Sequence, residues 1–341
     1  MTTAITIGMI IIYVAIMMGI GVYTARQTRS VSDFVLGSHS VGSWLTAFAY
    51  GTSYFSAVVF IGYAGQFGWT YGVSAAWVGV GNALLGSLLA WIVLGRRTRI
   101  MTQSLGAKTM PEYFEKRWNS KGLKIAAALI VFVFLIPYTA SVYNGLSRLF
   151  NMAFQIESEG AYKIIIIVMA LLTAIYVILG GYAATAINDF IQGIVMLIGI
   201  AAVVICAIQN QGGLTSALAA LGEIEVNGKT NTLNSVFGPD PLNLLGVVIL
   251  TSLGTWGLPQ MIHKFYAIKS ENDIKKGAVI STVFALIVAG GSYLLGGFDR
   301  LFCTLTEDGS GKTVISTLSN GKPDFDAMIP SLLHTALPDI L

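Results

Sequence analysis

The chain has 341 residues, of which 55% are hydrophobic and only 11% are charged, and its formal net charge is +3. Soluble domains usually carry about 25% charged residues, so this composition excludes an ordinary soluble enzyme or binding module. A mean hydropathy of +0.72 and repeated apolar runs predict an all-α protein that crosses a membrane several times. The lipid bilayer is therefore an expected partner, and a nucleic acid is not.

Eight apolar runs are long enough to cross a hydrocarbon core about 30 Å thick. In chain order they cover residues 4–24, 44–68, 72–95, 123–150, 161–181, 188–208, 242–263 and 276–298. The first run has no basic segment before it and is long for a signal peptide, so we expect a retained helix.

The lysines and arginines are distributed unevenly between the two sides of these spans. If the N-terminus lies outside, the inside segments 25–43, 96–124 and 264–276 hold 14 of the 20 basic residues. Because short cytoplasmic loops carry an excess of Lys and Arg, this asymmetry predicts a multi-pass protein of the cell membrane with its N-terminus outside.

The second and seventh spans contain clusters of small and polar residues at mid-depth. The second has Gly51, Thr52, Ser53, Tyr54 and Ser56, and the seventh has Thr251, Ser252, Gly254, Thr255, Gly257 and Pro259. Paired helices interrupted in this way are typical of the central site of a transporter. The alternative is that the small residues only allow close helix packing.

The stretch GGYAATAINDFIQG places Asp189 between two long apolar runs. A carboxylate inside a membrane protein is costly unless a cation pairs with it, so Asp189 is a candidate for ion handling. The alternative is that Asn188 or Asp189 caps the start of the next helix, and the two roles are compatible.

Motifs of embedded enzymes are missing from the sequence. It has no phosphate-binding loop, no HExxH, no GxGxxG and no Cys/His cluster with metal-ligand spacing. We therefore expect neither an enzyme nor a cofactor.

Four stretches together resemble the sodium:solute symporter family, which includes proline, pantothenate, sugar, iodide and sialic acid carriers. They are SDFVLGSHSVGSWLTAFAYGTSYFSAVVFIG, TMPEYFEKRW, IYVILGGYAATAINDFIQG and GLPQMIHKFYA. The third carries the aromatic, Gly-Gly and Asp-x-x-Gln signature of the family. The resemblance runs in order over essentially the whole chain, and its motifs are specific.

The resemblance implies a leucine-transporter-like fold of two inverted five-helix repeats, usually preceded by one extra helix. On this basis, residues 1–43 hold the extra transmembrane helix and an inner linker, and residues 44–210 form the first repeat. Residues 211–241 are expected to be an outside loop, and 242–300 the first two helices of the second repeat. Residues 301–341 are expected to be an outside segment that ends before the next core helix, as in a chain truncated at its C-terminus.

The resemblance also implies the residues of a sodium site and a solute site. Sodium is expected to bind at Thr52, Phe55, Ser56 and Asp189, as the coupling ion and not as a cofactor. The solute residues implied by the family's geometry are Ser53, Tyr54, Val59, Tyr138, Thr255, Trp256 and Gln260. Ordinary aromatic packing is the alternative for Tyr138 and Trp256.

The resemblance implies a sodium-coupled symporter that imports a small organic solute by alternating access. The pantothenate branch matches the motifs best but departs at Tyr138, which agrees with the proline branch. The sugar branch is disfavoured because Val59 and its neighbour are apolar. A carboxylate-bearing solute is expected to rely on sodium, helix dipoles and hydroxyls, because the sequence places no Lys or Arg in the pocket. A sodium-independent facilitator or channel and a membrane sensor domain are the alternatives, and no obligate protein partner is evident.

Overall fold

The protein is described here by a computed structural model that covers residues 3–26, 28, 30–37, 41–56, 58–154, 159–307, 311–318 and 320–337. The described chain is almost entirely helical, and sheet is limited to two parallel strands of two residues each, β1 (Cys303–Thr304) and β2 (Thr313–Val314). The predicted all-α class is confirmed.

The first half of the chain contains helices that alternate between long apolar segments and short polar ones. In order they are α1 (Thr3–Ala25), α2 (Val31–Leu36), α3 (Ser43–Tyr54), α4 (Ala64–Tyr71), α5 (Ala76–Gly81), α6 (Arg96–Leu105), α7 (Met110–Trp118) and α8 (Lys121–Phe154). Segments of π-helix join them at Val58–Tyr63, Asn82–Leu88 and Trp91–Gly95, and a 3₁₀ turn lies at Gly72–Ala75.

The second half begins with the longest helix of the described chain and ends in short ones. In order they are α9 (Glu159–Asn210), α10 (Leu214–Glu223), α11 (Pro241–Leu253), α12 (Pro259–Ala267), α13 (Glu271–Gly296), α14 (Asp299–Phe302) and α15 (Met328–Ala336), with 3₁₀ turns at Gly254–Gly257 and Phe325–Ala327. All eight predicted spans lie on these helical segments. By length and composition, five continuous helical segments could cross a membrane within the described ranges, or six if α11 and α12 form one bent span.

The second predicted span is interrupted after α3. Phe55 leaves the helical region with φ −99° and ψ 70°, and Ser56 follows without regular structure. The chain then resumes as π-helix at Val58 and continues into α4. The last carbonyl groups of α3 consequently lack the partners that a continuous helix would supply.

The seventh predicted span is also interrupted, between α11 and α12. The two helices are bent by 54° across the turn at Gly254–Gly257. Leu258 is extended, with φ −68° and ψ 126°, and Pro259 takes the first position of α12, where its missing N–H has no cost. Both interruptions predicted from Gly, Pro and hydroxyl residues are therefore present.

Helix α9 is broken at Gly181, which has φ 58° and ψ −151°. Only glycine adopts this conformation readily, and a β-carbon there would lie 2.7 Å from the Phe34 carbonyl oxygen. Asp189 interacts electrostatically with Tyr176, although a straight helix would separate residues thirteen apart by about 20 Å. The chain therefore reverses at Gly181, and the two predicted spans lie on the two arms.

The prediction that Asn188 or Asp189 caps the helix after this turn is wrong. The second arm of α9 is helical directly after Gly181, so both residues lie about two turns inside it. A single glycine completes the reversal, and no capping side chain is needed at position 188 or 189. The role of Asp189 in ion handling stays a prediction.

The segment 211–241, expected to be an outside loop, contains the ten-residue helix α10. Its Ala217 and Leu221 are fully buried. These two residues are four apart and therefore share one helix face, which packs into the core. The four-residue spacing of Ala217 and Leu221 is visible in the sequence, but the Gly, Asn and Thr residues around it favoured the prediction of a loop.

Helix α13 lies at the centre of the bundle, in contact with α3, α4, α5 and α9. Two of these contacts bring backbones together. A β-carbon on Gly68 would lie 2.0 Å from the carbonyl carbon of Gly296, and one on Gly79 would lie 2.5 Å from the Gly290 nitrogen. Close backbone approach through glycine is how helices pack tightly in a membrane.

We expect Gly296→Ala to destabilise the fold strongly, because its β-carbon would lie 2.0 Å from the backbone oxygen of Ala64. Overpacking of this kind costs about 1–3 kcal/mol or more. Gly290→Ala on the same helix is the matched control, because a β-carbon there meets nothing within 4 Å. Thermal unfolding of the detergent-purified protein measures both, and equal midpoints for the two variants would contradict this packing.

Candidate functional site

Asp189 of α9 forms an ion pair with Lys264 of α12. The Lys264 Nζ lies 3.5 Å from Asp189 Oδ2, and the side chains are 8% and 21% exposed, respectively. The pair joins the second arm of α9 to the helix that follows the second interruption. Each charge compensates the other in an environment that could not hold either alone.

Lys264 also lies over an aromatic ring of α9. Its Nζ is 5.2 Å from the centroid of Tyr182, which is itself buried. An ammonium over an aromatic face is stabilised by the ring quadrupole. Lys264 is thus held by Asp189 and Tyr182 together, on one side of α12.

The structure corrects the expectation that no basic residue faces a pocket. In the sequence, Lys264 counts among the inside-loop charges at the end of the seventh span. In the structure it belongs to α12, is buried, and lines a cavity. The sequence carried a weak signal for this, because Lys264 lies only five residues after the proline that starts α12.

Thr52 brings the first interrupted helix to the same site. Its hydroxyl donates to the Phe48 carbonyl oxygen at 2.9 Å. Thr52, Phe55 and Ser56 line one cavity of about 500 Å³, together with Gln192, which lies one turn after Asp189. The structure therefore brings three of the four predicted sodium residues to one cavity, and Asp189 lies on the facing arm of α9 without lining it.

The predicted solute residues are divided among three places. Val59 lines the 500 Å³ cavity beside the sodium residues, and we refer to this as the α3 cavity. Tyr138 and Gln260 line a separate cavity of about 420 Å³ between α7, α8, α9 and α12, which we refer to as the α12 cavity. Ser53 is half-buried on α3 and lines neither of them.

The other three predicted solute residues make hydrogen bonds within the packed helices. The Tyr54 hydroxyl donates to the Thr251 carbonyl at 3.0 Å, and the Thr255 hydroxyl donates to the Ser252 carbonyl at 2.9 Å. The Trp256 indole donates to the Leu85 carbonyl at 3.0 Å. In this conformation their polar groups support the second interruption, and they line neither the α3 nor the α12 cavity.

Several buried polar groups near the ion pair have no hydrogen-bond partner among the described residues. They are the Tyr182 hydroxyl and both side-chain amide atoms of Asn188 and of Gln260. Buried polar groups are nearly always paired in folded proteins, so such a concentration indicates contact with water, an ion or a solute. Gln260 was among the solute residues predicted from the sequence, and Tyr182 was not.

A second buried carboxyl lies away from this site, at Asp299 of α14. Neither of its oxygens has a hydrogen-bond partner among the described residues, and it lines neither cavity. Burial without a compensating charge raises the pKa of Asp299 well above its ordinary value. Its carboxyl therefore holds its proton at pH values where an exposed aspartate is ionised.

Within the described ranges, no group of three or more His, Cys, Asp or Glu residues could hold a metal ion. Apolar helices long enough to span a membrane, two interrupted helices, and a buried ion pair between α9 and α12 are features of a polytopic membrane protein.

Comparison with known proteins identifies the family. The profile of the sodium:solute symporter family matches residues 34–341. Sodium/proline symporters of Staphylococcus aureus strains JH9 and USA300 are each 34% identical over 274 residues, which make up 79% of this chain and 51% of each relative. The chain belongs to the sodium:solute symporter family, whose members are transporters and not enzymes.

The fold agrees with a solved member of this class. A structure described as the substrate-bound outward-open state of a Na⁺-coupled sialic acid symporter has a TM-score of 0.68 and 15% identity. The alignment covers 96% of this chain and 66% of that one. The chain spans about half the length of the curated relatives that it matches.

We expect Lys264→Gln to destabilise the protein in sodium-free buffer, because it leaves Asp189 without its cation. Asp189→Asn together with Lys264→Gln should lose less stability than the sum of the two single variants, with a coupling of about 1–3 kcal/mol. Thermal unfolding in detergent gives the stabilities of the wild type, the two single variants and the double variant, which together form a double-mutant cycle. Lys269→Gln, at an exposed position, is the control, and additivity within about 0.5 kcal/mol would contradict the pairing.

Proposed function

We propose that this chain provides the sodium site and much of the solute path of a sodium-coupled symporter that imports a small carboxylate-bearing solute by alternating access. The observation that carries the proposal is that the Asp189 arm of α9 packs against the interrupted end of α3, where Gln192, one turn after Asp189, lines the same cavity as Thr52. Membership of the sodium:solute symporter family supports the coupling ion.

The end of α3 is chemically suited to sodium. The last carbonyl groups of a helix have no intrahelical partner, and the helix dipole places partial negative charge there. Phe55 turns out of the helix at this point, and the Ser56 hydroxyl lies in the same cavity as Thr52. Asp189 supplies a full negative charge from the facing helix, so the group of oxygens favours a cation.

A proline-like solute is favoured by the relatives, whose names describe sodium/proline symport. The cavities of about 500 and 420 Å³ are in the range of about 300–1,000 Å³ that small-molecule sites usually occupy. A pantothenate-like acid satisfies the same size and charge and is the second candidate. The bilayer, sodium and the solute are the partners in this proposal, with the N-terminus outside by the distribution of Lys and Arg.

A sodium-independent facilitator is the alternative function, since it also needs polar groups inside the bundle. It does not require a carboxylate beside the end of an interrupted helix. A cation that binds at Asp189 and is released on the other side of the membrane gives a reason for such a carboxylate, because its electrochemical gradient can drive the solute.

Uptake by the full-length protein that contains this chain, reconstituted in liposomes, tests the proposal. We expect accumulation of L-proline or pantothenate to require an inward sodium gradient and to be abolished when choline replaces sodium. Uptake that is unchanged in choline would establish the facilitator instead.

Asp189→Asn should raise the sodium concentration for half-maximal uptake by about tenfold or more, because a neutral amide binds a cation less strongly than a carboxylate does. Glu225→Gln, at an exposed carboxylate outside the site, is the matched control. An unchanged sodium dependence of Asp189→Asn, with reduced protein in the membrane, would assign Asp189 a purely structural role.

A further inference from the structure

The α12 cavity has the chemistry of an anion site. It encloses about 420 Å³, and its lining includes Tyr182, Gln260, His263 and Lys264. The Tyr182 hydroxyl and the Gln260 amide have no hydrogen-bond partner among the described residues, and Tyr182 is more than nine-tenths buried. A hydroxyl, an amide and an ammonium are all hydrogen-bond donors, so together they suit a carboxylate.

Lys264 is the one Lys or Arg among the residues that line this cavity. In this structure the ammonium is shared between Asp189 at 3.5 Å and the face of Tyr182. A distance of 3.5 Å is long for a charge-assisted hydrogen bond, which is usually about 2.7–2.9 Å. The ammonium is therefore close to Asp189 without being tightly bound to it, and it borders the cavity at the same time.

Asp189 has two possible cations, the sodium ion of the proposed function and Lys264. When sodium pairs with Asp189, the electrostatic attraction between this carboxylate and Lys264 weakens. The ammonium can then pair with another anion. Of the two cavities described above, Lys264 lines the α12 cavity. Because such coupling is reciprocal, an anion that binds to Lys264 also favours sodium at Asp189.

We propose that the α12 cavity is a binding site for the carboxylate of the solute, with Lys264 as its anchor, and that sodium at Asp189 makes Lys264 available for it. The proposal rests on the proposed function, because it needs sodium at Asp189. It assigns Tyr182 and Gln260 as hydrogen-bond donors to the same carboxylate. It also supplies the basic partner that an acidic solute lacks in the α3 cavity.

Equilibrium binding to the purified full-length protein tests this assignment, with two acids and their uncharged analogues as probes. The pairs are L-proline with L-prolinamide, and pantothenate with pantothenol. With saturating sodium, wild-type protein should prefer one acid over its analogue by about tenfold or more, as expected for a charge-assisted hydrogen bond. Lys264→Gln should abolish that preference, Lys264→Arg should retain much of it, and Lys269→Gln should behave as wild type.

The sodium dependence of acid binding in Asp189→Asn is a second test. A purely structural role of Lys264 would not change it. Without an acid at position 189, Lys264 is free at all times, so this variant should bind the acid probe nearly as well without sodium as with it. Size-exclusion chromatography and a melting curve establish that each variant is folded before binding is measured.

The two proposals fail in different ways. If wild-type protein shows no sodium-stimulated binding of either acid, the proposed function is wrong. If sodium stimulates binding in wild-type protein and folded Lys264→Gln still prefers the acid by the same factor, the assignment of Lys264 is wrong while sodium coupling stands. Continued dependence of acid binding on sodium in Asp189→Asn would likewise overturn the assignment.

Discussion

A carboxylate and an ammonium lie 3.5 Å apart inside a bundle of apolar helices, where removing one partner would leave the other charge uncompensated. This pair connects three parts of the chain that the interrupted helices create. Asp189 belongs to the second arm of α9, Lys264 to the helix after the second interruption, and Thr52 to the helix before the first. These side chains therefore meet only when all three helices are packed in their native positions, so the site exists only in the folded protein.

Close glycine contacts of α13 fix the relative positions of these helices. This helix packs on α3 and α9, which carry Thr52 and Asp189, and it meets α4 and α5 with backbones in contact. Side chains larger than hydrogen would separate these helices by several ångströms. The relative positions of Thr52 and Asp189 thus depend on glycines that have no polar side chain and lie far from both residues in the sequence. A scaffold of this kind can be rigid while the interrupted helices beside it change conformation.

Much of this organisation could be predicted from the sequence, since it follows from patterns local to one segment. Apolar run length predicted the spans, and Gly, Pro and hydroxyl clusters predicted both interruptions. The role of Lys264 could not be predicted, because its neighbours Asp189 and Tyr182 are brought to it only by tertiary packing. The capping prediction for Asp189 failed for a different reason: Gly181 alone reverses the chain, and propensity could not show which residue would do so. Three predicted solute residues direct their polar groups to backbone carbonyls, which could not be predicted because sequence spacing does not fix the direction of a side chain.

The separation of Asp189 and Lys264 along the chain has a consequence for biosynthesis. The acid precedes its base by 75 residues, the difference between positions 264 and 189. At about 5–20 residues per second, the ribosome needs roughly 4–15 s to make the intervening segment. For that time the Asp189 helix must enter the bilayer without its ammonium, and a charged side chain within a membrane-spanning segment is costly. The apolar run IVMLIGIAAVVICAI that follows Asp189 offsets this cost. The hydrophobicity of that arm therefore serves its insertion by the translocon as well as its packing in the finished protein.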